Sequence, residues 1–512
     1  MYHHYKPLRN YLRKFGVGKS FEELWGFFQY LSHDGRAIPV SSQWQQLNFR
    51  RDIFPWELGI LTREIILNAQ NVGSASLHIY DDFAGAINRI RNLDERISGE
   101  HVSQDNILEH LHRIAHQQFP WQRRNAEAEL LRYLKIFGEN HVEQVIRNST
   151  GLSMRDLYVM GLAIGGSLLR QAGINANQDF TRFGIPLSRT RDFLSRMRIS
   201  LSDLKSKLKE LQRFDDSWAY TWNPLEATPL VSVDPNNPHL LHCPIPPFMM
   251  RRFSAGIYYE VVNAVDFDNA FGSSFEKYVG DVLREIFLAR RFEVVRPDSY
   301  LVGKDVHHGA DWILSDKTAV LFIECKTKRL PVAGKYSINL DELGGQLAYL
   351  AAAIVQSYKN INDVIEGYSS WKPSGLPIYP LIVTLEDWYL FSPTVHSKLR
   401  EQVEQRLKQA GLSESLVFTM PYSVTSIDEF ERVGKIIART DIDKLFSLKT
   451  QEKYQSWHFS GFTSEFFTSE HGSYKHLFRN EWDALLADFE ANVFSDVSAR
   501  GSALRAQRRR AE

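Results

Sequence analysis

The stretch Leu321-Phe-Ile-Glu324-Cys-Lys326 constrains this chain more than any other. An apolar run closes on two opposite charges, and a second apolar run, Asp311-Trp-Ile-Leu314, stands a short turn before it. Side chains alternate along a strand, so Glu324 and Lys326 share one face and Cys325 takes the other. A two-residue turn at Ser315-Asp316 would pair Leu314 with Lys317 and set Asp311 opposite Val320, on the face of Glu324 and Lys326. Asp311 and Glu324 would then lie four positions apart along the strand, a gap for twist or a bulge to close. A three-residue turn would flip Asp311 to the other face.

Two carboxylates and a lysine on one sheet face suit phosphodiester hydrolysis. Hard oxygen ligands hold Mg²⁺ or Mn²⁺ and leave positions for water and phosphate. Such an ion neutralises phosphate charge and acidifies water. A neighbouring lysine can orient that water and stabilise developing charge. The same three residues could also form a strand-end salt bridge and nothing more.

The order of elements around them is informative. Residues 1 to about 225 read as almost wholly helical, with apolar residues at helical spacing in Glu22–Leu31 (Ser20 as its N-cap), Trp56–Ala69, Phe83–Ile97, Asn106–His116, Ala126–Phe137 and, most clearly, Leu187–Leu211. The character changes near Pro224, where Thr228–Val233 and His239–Cys243 read as two strands around a turn. From Ala270 the pattern is helix (Phe271–Leu288), strand (Phe292–Tyr300), the two strands above, helix (Asp341–Tyr358) and strand (Ile378–Leu385). Val395–Ala410 and Ile427–Ala438 continue it, and Asp441–Phe494 reads as helical before a tail with Arg508, Arg509 and Arg510.

This α-β-β-β-α-β order, with Asp311 and Glu324-Cys-Lys326, resembles the PD-(D/E)xK nuclease superfamily, the restriction-endonuclease-like fold. Gln346-Leu-Ala-Tyr349 is similar to the Q-x-x-Y motif of its RecB-like branch, and Glu276 stands where the superfamily often has an extra acidic residue. The resemblance covers about residues 270–390. It implies Asp311, Glu324 and the Cys325 carbonyl as metal ligands, and Lys326 as the residue that positions the water. It implies Glu276 as support for a second metal or its water shell, Gln346 as a guide for phosphate or lysine, and Tyr349 as a contact to the strand and a nucleic-acid-binding residue. Ala310 fills the place before Asp311, and the literal Pro297-Asp298 pair reads as incidental. His308 reads as a loop residue near the site.

Composition bounds the rest. Lys+Arg and Asp+Glu both number 61, so any nucleic-acid surface must be local. Lys328 and Arg329 beside the proposed site are candidates, as is the basic region 181–214 with Arg189, Arg191, Arg196 and Arg198. Two cysteines, Cys243 and Cys325, exclude a disulfide scaffold and suit a cytoplasmic protein. The apolar stretch Leu157–Leu169 is too short to span a membrane. Gly16-Val-Gly-Lys-Ser20 departs from the P-loop pattern at Arg13, and Arg96-x(4)-His101 matches a helical ribonuclease pattern only with Gly99 between.

The expectation is therefore a multidomain chain. It has a helical recognition or regulatory domain (1–225), an α/β restriction-endonuclease-like core with a mixed sheet (226–440), and a helical C-terminal extension with a basic tail (441–512). The expected activity is Mg²⁺- or Mn²⁺-dependent cleavage of nucleic acid, DNA by resemblance, with RNA open, in a bacterial anti-phage defence or DNA-processing effector. A partner protein or homo-oligomer and no membrane complete the expected partners. The alternative is a non-catalytic nuclease-fold scaffold whose helical half binds a protein.

Overall fold

The computed structural model describes residues 2–32, 49–103, 107–122, 126–336, 340–470 and 477–487. The arginines of the C-terminal tail lie outside them. Among the described residues no helix is long and apolar enough to cross a membrane. Contacts divide the chain into two compact units, one drawn from Met1–Val102, Glu143–Val265 and Arg479–Glu512, the other from Ser103–Val142 and Asp266–Phe478. The units therefore do not follow the composition change near Pro224. Residues 103–142 pack with the second unit, and the strands near 230–242 belong to the first.

The first unit is mostly helical. Its small sheet holds β1 (Gly173–Asn175), β2 (Arg198–Ser200), β3 (Leu230–Ser232) and β4 (Leu240–His242) in the order β1-β4-β3-β2. The expected helix Leu187–Leu211 is in fact two helices, Leu187–Met197 and Leu201–Leu211, with β2 between them. Ser200 explains the break: its hydroxyl accepts the Asp203 N–H at 3.1 Å as an N-cap, and the extended residues before it pair in parallel with β3. Ser20 does not cap; it lies inside Val17–Ser32, a helix that already begins at Val17. Gly99 likewise sits within the continuous helix Tyr80–His101. Glu64 is a fully buried carboxylate of this unit, and it takes Tyr5 Oη at 2.7 Å, Trp218 Nε1 at 3.1 Å and Arg63 Nη2 at 3.0 Å. A buried carboxylate persists only when its lone pairs are matched in this way.

The second unit is built on a five-stranded mixed sheet of β5 (Glu293–Val295), β8 (Trp312–Ser315), β9 (Val320–Lys326), β10 (Ile378–Thr384) and β11 (Ser423–Ser426), in the order β11-β10-β9-β8-β5. β8 pairs antiparallel with both β5 and β9, whereas β9, β10 and β11 pair in parallel. A separate hairpin, β6 (Tyr300–Val302) and β7 (Asp305–His307), interrupts the chain between β5 and β8. Every residue of β9 before Lys326 is buried, which is why it reads as an unbroken apolar run. The helix Phe267–Ile286 lies against β8, where the Trp312 indole fills the space that Gly280 leaves open. A Cβ at Gly280 would come within 2.1 Å of that ring. The helix Leu340–Ile365 covers the sheet with Leu347, Leu350, Ile354 and Tyr358, and packs with Leu399 and Val403 of the helix Pro393–Gln409. Each such side chain contributes about 1.5–3 kcal/mol by leaving water.

Candidate active site

The β8–β9 register places the site. Ser315 pairs with Val320 and Trp312 with Ile323, so one further step sets Asp311 directly opposite Glu324. The turn is four residues long, not two. Asp316 closes it by accepting the N–H groups of Thr318 and Ala319 on Oδ1, at 2.7 and 3.1 Å. The longer turn removes the four-position gap that a two-residue turn would leave. Directly opposed residues carry their side chains on the same face, with Cβ atoms about 4.5–5.5 Å apart.

Asp311 is fixed by the backbone, since Cys325 N–H donates to its Oδ2 at 2.7 Å. Lys326 Nζ donates to Glu324 Oε1 at 2.6 Å, while Glu324 Oε2 is buried without a hydrogen-bond partner among the described residues. Glu276 joins from the helix Phe267–Ile286, whose position is set by Trp312 Nε1 donating to the Glu276 carbonyl at 2.9 Å. Its carboxylate receives Arg296 Nη2 at 3.1 Å.

The electrostatics of the cluster are those of a site short of positive charge. Burial, then the charge of Asp311, pushes the Glu324 carboxyl up to about 7. Burial also raises Asp311, against the Cys325 N–H and Lys326, and burial followed by Asp311 raises Glu276. Burial pulls Lys326 down, but Glu324 and its hydrogen bond outweigh that and leave the ammonium group above its ordinary value. Three mutually repelling carboxyl groups and an unpartnered carboxylate oxygen fit a divalent cation with hard oxygen ligands.

Of the residues named from sequence, Glu276, Asp311, Glu324 and Lys326 converge, and Tyr349 lies within electrostatic reach of Lys326. Gln346 is half-buried, one turn before Tyr349, with its Cγ against Gly334. Cys325 presents its backbone here, and its thiol is buried. Lys328 is exposed. Arg329 is a correction: it is only 6% exposed, so it does not offer a surface charge to phosphate. Its guanidinium pairs with Glu386 at 3.3 Å and lies over the Tyr133 ring. Arg189, Arg191, Arg196 and Arg198 are exposed in the other compact unit, where Arg196 pairs with Glu260 at 2.6 Å and Arg189 approaches Asp156 at 3.8 Å. His308 bonds through Nδ1 with Ser299 Oγ at 2.9 Å.

Sequence reading missed Arg296. Its positive charge acts on both Glu276 and Asp311, and more than half of its side chain is open to solvent. The only signal was its place at the end of β5, beside the Pro297-Asp298 pair. A second group, Asp387, Glu429 and His458, also went unnoticed. His458 places Nε2 at 2.8 Å from Asp387 and Nδ1 at 2.8 Å from Glu429. Burial opposes its charge, yet the two carboxylates hold it well above the ordinary histidine value. Both ring nitrogens are thus donors, and the group reads as an ionic staple rather than a metal set.

No family model matches this sequence, and no curated protein matches it. Among solved structures the chain is similar to the small subunit of the heterodimeric restriction endonuclease R.BspD6I, at 11% identity and a TM-score of 0.20, over 46% of this chain and 96% of that one.

Proposed function

We propose that this chain is a divalent-metal-dependent nuclease of the restriction-endonuclease-like kind that cleaves DNA, acting as a defence or DNA-processing effector. The observation that carries the reading is the facing pair Asp311 and Glu324, with Lys326 bonded to Glu324 and the second Glu324 oxygen unpartnered. The order of helix, three antiparallel strands, helix and parallel strand around that pair supports it.

Asp311, Glu324 and the Cys325 carbonyl would hold Mg²⁺ or Mn²⁺, which when bound supplies charge neutralisation and water activation. Lys326, already on Glu324, holds a proton-rich group where the attacking water must be oriented. Arg296 presents an exposed guanidinium beside the carboxylates, suited to a phosphate oxygen. The Cys325 N–H keeps Asp311 from turning away while substrate enters.

The test is incubation of the purified full chain with supercoiled plasmid in Mg²⁺ or Mn²⁺, beside Glu324→Ala. Nicking or linearisation by the wild type and none by the variant is the expected result. Equal activity in both would end the reading. DNA binding without turnover in either metal would favour the scaffold alternative.

A further inference from the structure

The first unit holds a cleft of about 510 Å³ between the helix Val17–Ser32 and the β1–β4 strand pair. Its size is that of a small-molecule site. On the sheet side it is lined by His242, which pairs directly across the strands with Gly173. Directly opposed residues share a face, so the glycine sets no side chain beside the imidazole. Alternation puts Leu240 on that face too, and Leu240 is 40% exposed. Across the cleft stand Glu22, Trp25 and Gly26 of the helix. The Trp25 indole is fixed, since its Nε1 donates to the Leu168 carbonyl at 2.7 Å. A Cβ at Gly26 would meet nothing within 4 Å, so the helix keeps open space there.

Two features of this cleft point to a ligand. The first is His242, which is only 9% exposed, yet its Nδ1 has no hydrogen-bond partner among the described residues. Buried polar atoms of that kind are rare, because each carries a desolvation cost that a partner would relieve. Burial holds the ring below the ordinary histidine value, against the charge of Glu22. The ring is therefore neutral near pH 7 and has one nitrogen able to accept a hydrogen bond. The second feature is charge. One lysine and two glutamates line the cleft, so its formal charge is negative. Lys19 lies 3.9 Å from Glu23, whose carboxylate also takes the Leu77 N–H at 2.8 Å. Glu22 is exposed and is the carboxylate left over.

We infer that this cleft binds a small aliphatic amine of the polyamine class, in its ammonium form. An ammonium N–H donates to the His242 ring, and Glu22 supplies the countercharge. The alkyl body lies along Leu240 and the Trp25 indole, whose π face also attracts a cation. An anion meets the wrong sign here. A phosphate would face Glu22 and Glu23 with a single lysine that already stands beside a carboxylate, and like charges in apposition are costly. Lys19 of the Gly16-Val-Gly-Lys-Ser20 stretch is thus no phosphate ligand. Every residue of the cleft belongs to the first unit, so the inference does not depend on the nuclease reading.

The experiment is titration calorimetry of the full chain with spermidine, in excess Mg²⁺ to compete for surface carboxylates, beside adenosine monophosphate as the anionic control. The wild type should bind one molar equivalent of spermidine. Glu22→Gln and His242→Leu should each weaken binding at least tenfold. His242→Asn or His242→Gln, which keeps an acceptor, should stay within threefold of wild type. Gly26→Leu fills the open space and should abolish binding without lowering thermal stability, because leucine is the better helix former. If His242→Leu does not fold, Glu22→Gln and Gly26→Leu decide. Three results overturn the inference: no spermidine binding by the wild type, unchanged binding in Gly26→Leu or Glu22→Gln, or tighter binding of the nucleotide than of spermidine. Plasmid cleavage is read separately and bears on the nuclease reading alone.

Discussion

Arg132 and Glu431, 299 residues apart, meet in the interior of the sheet-bearing unit through two parallel bonds, Nε to Oε1 at 2.9 Å and Nη2 to Oε2 at 3.0 Å. Arg132 also reaches Asp428 at 3.0 Å, and Tyr278 donates to Glu431 at 2.8 Å. Breaking a buried pair of this kind leaves an uncompensated charge and costs about 3–5 kcal/mol. Arg132→Ala should therefore lower stability by about that amount in urea or thermal unfolding of the full chain. A loss below ~1 kcal/mol would show that the pair is not buried in solution.

The same contact governs truncation. Residues 103–142 supply Arg132, and the Ile136 carbonyl that accepts Ser274 Oγ at 2.6 Å, so they belong to the sheet-bearing unit rather than to a separate helical half. A protein beginning at residue 226 should fail to unfold cooperatively and should lack cleavage. A cooperative, active 226–512 protein would contradict this.

The local part of this fold was legible in the sequence, and the long-range part was not. The apolar run of β9 and the helix Ala126–Phe137 appear where periodicity puts them, because burial on known faces dictates the pattern. The face shared by Glu324 and Lys326 was readable from alternation alone, whereas the face of Asp311 depended on the length of the turn before β9. The direct opposition of Asp311 and Glu324 was not readable, because it depends on Asp316 accepting two turn N–H groups, which lengthens the turn to four residues. The break at Arg198–Ser200 was hidden by a leucine stripe that runs through two helices. That Arg132 meets Glu431, or that Arg329 turns inward to Glu386, follows from tertiary contacts that no local window contains.

Asp311→Asn and Glu324→Ala should each abolish metal uptake and cleavage, measured by titration calorimetry and plasmid nicking. Lys326→Ala should keep metal uptake and lose about 10²–10⁴ in rate, the usual worth of a positioned proton-transfer or charge-stabilising group. Metal affinity falling as far in Lys326→Ala as in Glu324→Ala would remove the division of roles. Ca²⁺ should bind without supporting turnover, because its looser coordination positions water poorly.

Lys449 gives a pH signature independent of the site. Burial pulls its ammonium group down to about 7, against the charge of Glu429, while Nζ donates to the Tyr454 and Gln455 carbonyls at 3.0 and 2.9 Å. The unfolded lysine titrates near 10.5. Between those values the unfolded chain binds a proton that the folded chain does not, so this group's stability is fully present above about 10.5 and is lost as pH falls toward 7. The loss is on the order of 5 kcal/mol. His458 acts in the opposite sense, its stability being lost as pH rises through its raised value, so the comparison must isolate Lys449. The stability difference between wild type and Lys449→Met should grow in the wild type's favour from pH 7 to 10. A difference that is flat with pH would show that Lys449 stays charged in the folded chain.

Gly280→Ala and Arg296→Gln test the two supports of the site by different routes. A methyl group at 280 would collide with the Trp312 indole, whose Nε1 holds the Glu276 carbonyl and whose neighbour in the chain is Asp311. Overpacking of this kind costs about 1–3 kcal/mol and shifts backbone. Gly280→Ala should therefore lose stability and cleavage together, and metal affinity should weaken because the carboxylates no longer face one another. Arg296 is more than half exposed and touches only the rim, at Glu276 and over the Trp312 ring, so Arg296→Gln should leave the unfolding transition within ~0.5 kcal/mol of wild type. Its loss removes a charge-assisted partner for a phosphate oxygen. Cleavage should fall ten- to a hundredfold, chiefly through weaker DNA binding, while calorimetric metal affinity rises slightly as Asp311 and Glu276 lose a competing cation. Lower metal affinity in Arg296→Gln, or unchanged DNA binding, would show that the guanidinium orders the carboxylates instead of meeting substrate.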